Sequence, residues 1–274
     1  MRRSLVVALA AIVALAAVGV VAWQAYRAVV GSLTPQTCRV VLPDGGSTSL
    51  SGEQARNAAI IVAASIERGL PERAAVVALA TAYQESDIRN LDYGDRDSLG
   101  LFQQRPSYGW GTEEQIMDPW YSSGRFYEEL VKFPGWESVD VNDMAQRVQR
   151  SGFPDAYRQH ESKAIAVAAA LRGSAPETLT CLARDENPPD PAAFSPVLEA
   201  WGDQVTTTVE GDVVTITASS DIALWSAAHL ALANTYESGL TSAVVGDREW
   251  TASDHGWQPA ATPAPAGTAT LTLG

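Results

Sequence analysis

The chain has 274 residues and a formal net charge of -13 at pH 7, with a sequence pI of about 4.6. So acidic a surface has no basic footprint for a phosphate backbone, and this excludes a nucleic-acid partner. Anionic lipid and acidic polymers would also be repelled at long range.

The N-terminus predicts a membrane anchor. Arg2 and Arg3 precede an uncharged stretch, and its apolar core, residues 5–23, would span roughly 28 Å as a helix that rises about 1.5 Å per residue. Basic residues before such a span favour an N-terminus inside the cell and a following chain outside it. A cleaved signal peptide is the alternative, since Ala17 lies among small residues that could host cleavage, although the apolar run continues past them. We predict an uncleaved single-pass anchor within residues 1–27, with the later domains extracytoplasmic.

Helix signals dominate the next part of the chain, after a predicted tether over residues 28–50. Ser51 and Gln54 form a capping-box pattern at the start of one helix. Pro71 suits the first turn of the next helix, which runs to Ser86. Further helices are predicted over residues 112–116, 121–131, 141–150 and 154–171.

Glu85 lies in the last turn of the helix that begins near Pro71. Partly unsatisfied carbonyls and the negative end of the helix dipole disfavour its ionised form there, and burial against apolar neighbours would add to that effect. We therefore expect the pKa of Glu85 to be raised. A carboxylic acid that stays protonated near neutral pH suits the general acid of a glycosidase. The alternative is a solvated glutamate at a helix end.

A set of short blocks around Glu85 resembles a known family. The residues are Gln84-Glu85-Ser86, Ser98, Gly100-Leu101-Phe102-Gln103 and Pro106, followed by Asp118-Pro119, Gly124 and Tyr127. These blocks are similar to those of family 1 lytic transglycosylases, in a membrane-anchored actinobacterial form. The resemblance spans roughly residues 70–171 and implies the lysozyme-like fold, which is mainly α-helical.

The resemblance also implies an activity and a partner. Enzymes of this family cleave the β-1,4 bond between N-acetylmuramic acid and N-acetylglucosamine in peptidoglycan glycan strands, and no cofactor is expected. Glu85 would protonate the bridging oxygen, and the same carboxylate would then deprotonate the muramic 6-hydroxyl to close a 1,6-anhydro ring. The residues expected to bind substrate or shape the cleft are Ser86, Ser98, Gly100, Gln103, Tyr127 and Gln149, with Gly100 allowing close sugar approach.

Two alternatives to a transglycosylase remain open. A muramidase-type hydrolase would need a second carboxylate, for which Asp95 and Asp97 are the nearest candidates. A non-catalytic wall-binding or scaffold protein is the other, because Gln149-Arg150 stands where the family carries Tyr-Asn, and the family tyrosine positions the catalytic carboxyl. A hydroxyl from Tyr83 or Tyr157 on Glu85 would restore that positioning, whereas an arginine paired with Glu85 would favour the scaffold.

The two cysteines, Cys38 and Cys181, bracket the lysozyme-like segment, which we place at residues 51–184. A disulfide is the expected state, because the count is even and the compartment is predicted to be oxidising. Two buried free thiols are the alternative. We predict no metal site, since the three histidines are far apart, and Asp92, Asp95 and Asp97 lack the spacing of a calcium loop.

The C-terminal part predicts a separate small α+β domain over residues 201–257, after a proline-rich linker over residues 185–200. Two strands flank Glu210-Gly211-Asp212, a hairpin signal, and a helix capped by Ser220 or Asp221 follows. Trp250 is expected to pack in the core rather than bind a ligand. Residues 258–274, rich in proline, alanine and threonine, predict a disordered tail.

Overall fold

The structure is a computed structural model that describes residues 19–20, 23, 36–183, 187–253 and 256–274. A helical region comes first, and a six-stranded antiparallel sheet follows in the C-terminal part. The predicted membrane anchor and the first part of the predicted tether lie outside the described residues, except for Gly19, Val20 and Trp23, which are helical. Over the ranges described, no helix has the length and apolar character needed to cross a membrane. Thr37–Gly274 forms one compact unit.

Most of the described α-helices lie before the C-terminal sheet. The described helices are α1 Gly52–Glu67, α2 Glu72–Ser86, α3 Glu113–Ile116, α4 Pro119–Leu130, α5 Val141–Gln149, α6 Glu161–Arg172, α7 Ser195–Glu199, α8 Asp221–Leu232 and α9 Thr235–Ser238. The predicted capping box of α1 is confirmed: the Ser51 hydroxyl accepts from the Gln54 amide at 3.2 Å, and the Gln54 side chain accepts from the Ser51 amide at 2.8 Å. Pro71 is the N-cap of α2, one residue before its predicted place in the first turn.

Helix α2 is the central element of the helical region. Residues 74–83 are all buried, and the helix packs against α1, α4, α5 and α6. A helix that is apolar on every side is stable only when neighbours surround it, and its many alanines let those neighbours approach closely. The last turn of this core helix carries Glu85 to the edge of the core.

Part of the predicted tether is ordered structure instead. Strands β1 Cys38–Val41 and β2 Ser47–Leu50 form a hairpin, and β3 Leu179–Cys181 pairs with β1 on its other side. The tether prediction is wrong over these strands, because Val40 and Leu50 are buried against the helical core. The predicted disulfide is confirmed: Cys38 and Cys181 are directly paired between β1 and β3, with an S–S distance of 2.00 Å.

The C-terminal part combines a sheet with helix α8. The strands are β4 Val205–Glu210, β5 Val213–Ala218, β6 Leu240–Val245, β7 Arg248–Thr251, β8 Gln258–Pro259 and β9 Thr268–Leu273, in the spatial order β4-β5-β9-β6-β7-β8. The hairpin turn, the Ser220 cap and the buried position of Trp250 agree with the predictions. Helix α8 also packs on α6, where its Ser226 hydroxyl donates to the Leu171 carbonyl at 2.6 Å. The sheet and the helical region therefore share an interface.

Two predictions for this part are wrong. The tail predicted to be disordered contains β9, which lies in the middle of the sheet between β5 and β6. Its alternating Ala269, Leu271 and Leu273 are buried, and pairing on both sides stabilises a segment whose composition alone does not favour a strand. The predicted linker contains helix α7, whose Val197 and Leu198 are buried because they pack under α8.

Candidate active site

A cleft of about 690 Å³ opens beside the C-terminal end of α2. Glu85 lines it, and so do the predicted site residues Ser98, Gln103 and Gln149. These residues come from a helix end, the following loop and the end of α5, so the fold gathers segments that are up to 64 residues apart in the sequence (149 minus 85). A smaller cavity of about 360 Å³, lined by Pro43, Arg158 and residues of α6, contains none of the predicted site residues.

The Glu85 carboxyl group is partly buried at the inner wall of this cleft. Burial raises its pKa, while hydrogen bonding from Tyr157 and then from Gln149 opposes the increase. The direction agrees with the expectation from the sequence, and its largest cause is desolvation by burial. The group is therefore suited to hold a proton at a pH where a solvated glutamate is ionised.

Tyr157 supplies a hydroxyl to the carboxyl group. Its O–H donates to Oε1 of Glu85 at 2.7 Å, and its ring is fully buried. Burial, followed by the nearby charge of Glu85, raises the pKa of Tyr157, so it remains a protonated donor over the whole range in which Glu85 titrates. Tyr157 is one of the two tyrosines that the sequence offers as a hydroxyl donor to Glu85. No local pattern points to it, because 72 residues separate the partners.

Neither of the other expected neighbours behaves like Tyr157. The Tyr83 hydroxyl is buried and has no hydrogen bond to Glu85, and burial raises its pKa to about 12. Arg150 lines the cleft, but among the described residues no arginine forms an ion pair with Glu85. An arginine paired with Glu85, which would have favoured a scaffold protein, is thus not present among the described residues.

The turn after Glu85 has an unusual backbone that neighbouring side chains hold in place. Asp87 and Ile88 both have positive φ, at 55° and 56°, and this conformation is strained for a β-branched residue. Two side chains of helix α1 hold this backbone in place. The side-chain amide of Gln54 donates to the Asp87 carbonyl at 2.8 Å, and the side-chain amide of Asn57 donates to the Ile88 carbonyl at 2.9 Å. These bonds fix the direction in which α2 ends and hence the place of Glu85.

Gln103 and Gln149 line the cleft, and their side chains also form hydrogen bonds to carbonyl groups of its wall. The Gln103 side chain donates to the carbonyls of Tyr93 and Gly100, at 3.2 and 3.3 Å, and a Cβ on Gly94 would overlap its Oε1. The side-chain amide of Gln149 donates to the Phe102 carbonyl at 2.7 Å. Gln149 thus joins the end of α5 to the loop that follows Glu85.

Three of the residues predicted to bind substrate or shape the cleft are turned toward protein. Ser86 is buried and donates to the Leu101 carbonyl at 2.7 Å, which ties the end of α2 to the loop. Gly100 has φ of +75° and would meet the Ile116 carbonyl at 2.8 Å if it carried a Cβ, so a neighbouring backbone explains the glycine better than a sugar does. Tyr127 is 1% exposed and donates to the Ile61 carbonyl at 2.8 Å. Each of the three therefore contacts protein in this structure, and their part in binding substrate or shaping the cleft stays a prediction.

The two aspartates considered as second carboxylates differ in their surroundings. Asp97 accepts from Ser107 N at 2.9 Å and from Arg105 Nε at 2.6 Å, and these bonds hold its pKa well below the usual range. Asp95 lines the cleft with Glu85. Within the described residues, no cluster of three or more histidine, cysteine or acidic side chains is placed to hold a metal ion.

Comparisons with known proteins add no assignment: no protein-family model matches this chain, and no curated protein matches it either.

Proposed function

We propose that this protein is a membrane-anchored, extracytoplasmic lytic transglycosylase with a lysozyme-like fold, which cleaves the N-acetylmuramic acid to N-acetylglucosamine bond of peptidoglycan. The observation that carries the proposal is the 2.7 Å hydrogen bond from Tyr157 to Glu85 at the wall of a large cleft. This bond supplies the hydroxyl that a tyrosine provides in the resembling family, where this chain has Gln149 instead. The disulfide between Cys38 and Cys181 supports an oxidising compartment.

Glu85 performs both chemical steps in this proposal. Its burial favours the neutral acid, which donates a proton to the bridging oxygen as the glycosidic bond breaks. Negative charge then develops on the carboxyl group, and the Tyr157 hydroxyl stabilises it through a charge-assisted hydrogen bond. The resulting carboxylate takes the proton of the muramic 6-hydroxyl, whose oxygen bonds to the anomeric carbon and closes the anhydro ring. The acid form of Glu85 is regenerated without water or a second carboxylate.

A muramidase-type hydrolase is the second candidate, and the position of Asp95 in the same cleft favours it. In that mechanism Asp95 would act as nucleophile or would activate a water molecule, and the product would have a free reducing end. Asp97 is less suited to either role, because Arg105 and Ser107 occupy its carboxylate oxygens.

Product analysis tests the proposal. The full-length protein is incubated with purified peptidoglycan, and released muropeptides are separated by mass, since an anhydro product is one water lighter than a hydrolytic product. Glu85→Gln keeps the size of the side chain but cannot donate a carboxylic proton, so we expect release to fall by about 10²- to 10⁴-fold. Asp95→Asn is expected to retain activity.

Each outcome has a definite meaning. Anhydro products that depend on Glu85 but not on Asp95 support the transglycosylase. Reducing-end products that require Asp95 would establish the hydrolase instead. Binding of peptidoglycan without turnover by the unaltered protein would contradict both enzymatic mechanisms and favour a wall-binding protein.

A further inference from the structure

Arginine side chains are concentrated in the cleft, although the protein as a whole is acidic. The chain has a net charge of -13, yet four arginines line this one cleft. They are Arg105, Arg125, Arg147 and Arg150. Besides Glu85, the lining carboxylates are Asp95 and Glu129. The lining therefore has one more cation than anions even when Glu85 is ionised (four minus three).

Two of the four arginines are neutralised by acidic neighbours. Arg105 pairs with Asp97 at 2.6 Å. Arg125 pairs with Glu128 and, at 3.4 Å, with Glu129. These side chains are held within the protein's own ion pairs, so they offer less to a ligand.

Arg147 and Arg150 differ from the other pair. Both are exposed, and neither has an ion pair with any residue in the ranges that the structure describes. They are three residues apart at the end of α5, and the Arg150 amide donates to the Gln146 carbonyl at 2.7 Å. The Gln146 side chain also donates to the Ser151 carbonyl at 2.7 Å, so the backbone that presents both guanidinium groups is fixed on each side of Arg150. Next to them, Gln149 contacts the loop that follows Glu85.

We propose that Arg147 and Arg150 form a carboxylate-binding subsite that selects glycan strands containing muramic acid over neutral glycans. This inference rests on the proposed function. Each muramic acid carries a lactyl group, whose carboxyl is either free or bonded to a peptide that has carboxylates of its own, whereas a polymer of N-acetylglucosamine has none. Guanidinium groups bind carboxylates through paired, charge-assisted hydrogen bonds. The subsite also provides a local attraction that the acidic surface of the protein lacks.

Binding without turnover tests the subsite. Full-length Glu85→Gln protein is titrated with three probes: chitotetraose, which is neutral; glycan strands stripped of peptide by an amidase, which carry the lactyl carboxylate; and strands that retain their peptides. Arg147→Gln/Arg150→Gln in the same background removes both cations. Arg39→Gln/Arg56→Gln is the matched control, because it changes the net charge equally at exposed positions outside the cleft.

We expect the Arg147→Gln/Arg150→Gln protein to bind carboxylate-bearing strands roughly tenfold more weakly at low salt, with unchanged affinity for chitotetraose. The Arg39→Gln/Arg56→Gln control should bind all three probes with unchanged affinity. High salt should remove most of the difference, since exposed charges are screened. A loss confined to peptide-bearing strands assigns the anion to the peptide, and a loss confined to stripped strands assigns it to the lactyl carboxylate. A loss with both kinds of strand shows that the subsite accepts either carboxylate. Equal affinities of the altered and unaltered proteins for both kinds of strand, or an equal loss for chitotetraose, would overturn the subsite.

The subsite and the proposed function fail in different ways. If the unaltered protein releases no muropeptides but strand binding still depends on Arg147 and Arg150, the subsite stands and the catalytic proposal fails. If muropeptides are released and binding is indifferent to both arginines, the catalytic proposal stands and the subsite is refuted.

Discussion

Replacing Tyr157 by phenylalanine isolates the contact on which the catalytic proposal depends. The substitution removes one hydroxyl group and keeps the ring in its fully buried place. Glu85 then loses the donor that lies 2.7 Å from Oε1, while Gln149 remains beside it. The size of the cleft is unchanged, so the effect reports on the carboxyl group and not on access to the site.

The expected loss follows from the strength of one hydrogen bond to a charged group. Such a bond contributes about 1.5–3 kcal/mol, and in this mechanism it is strongest when Glu85 carries negative charge in the transition state. That energy corresponds to a decrease in kcat of roughly 10- to 150-fold. Because the Tyr157 hydroxyl stabilises the ionised form of Glu85, its removal raises the pKa of Glu85 further. The alkaline limb of the pH–rate profile, where the essential acid loses its proton, should therefore move to higher pH.

The assay is muropeptide release measured as a function of pH, together with thermal unfolding to confirm that the altered protein is folded. Tyr83→Phe is the matched control, since it removes a buried hydroxyl from α2 that has no hydrogen bond to Glu85. Unchanged kcat and an unmoved alkaline limb in Tyr157→Phe would refute the assigned role of the hydroxyl. So would equal effects in the two variants.

Two further predictions concern the frame around the site. Replacing both Cys38 and Cys181 by alanine removes a disulfide that closes a loop with a sequence separation of 143. In the chain-entropy model this should lower the free energy of unfolding by up to about 5 kcal/mol, measured as a lower melting temperature without reductant. An unchanged melting temperature would contradict this. Deleting residues 258–274 removes β9 from between β5 and β6, so we expect loss of cooperative unfolding or insoluble protein, and a soluble protein with unchanged stability would show that β9 does not hold the sheet together.

Much of the local structure could be predicted because its causes lie within a few residues. The capping box of Ser51 and Gln54, the start of α2 after Pro71 and the hairpin around Gly211 all depend on backbone groups close in sequence. The disulfide also followed from the count and positions of the cysteines. The raised pKa of Glu85 was expected from its place at a helix end and the apolar residues before it.

Other features depend on contacts between distant segments, and only the tertiary structure decided them. Glu85 obtains its hydroxyl donor from Tyr157, and Ser86 and Tyr127 turn to carbonyls of the protein, because packing of the helices brings those groups together. Strand β9 forms because β5 and β6 supply hydrogen-bond partners on both of its sides. A short sequence specifies its own turns and caps, but the partners of a buried side chain or a central strand are set by the whole fold, since an unpaired polar group in the interior costs more free energy than local preference supplies.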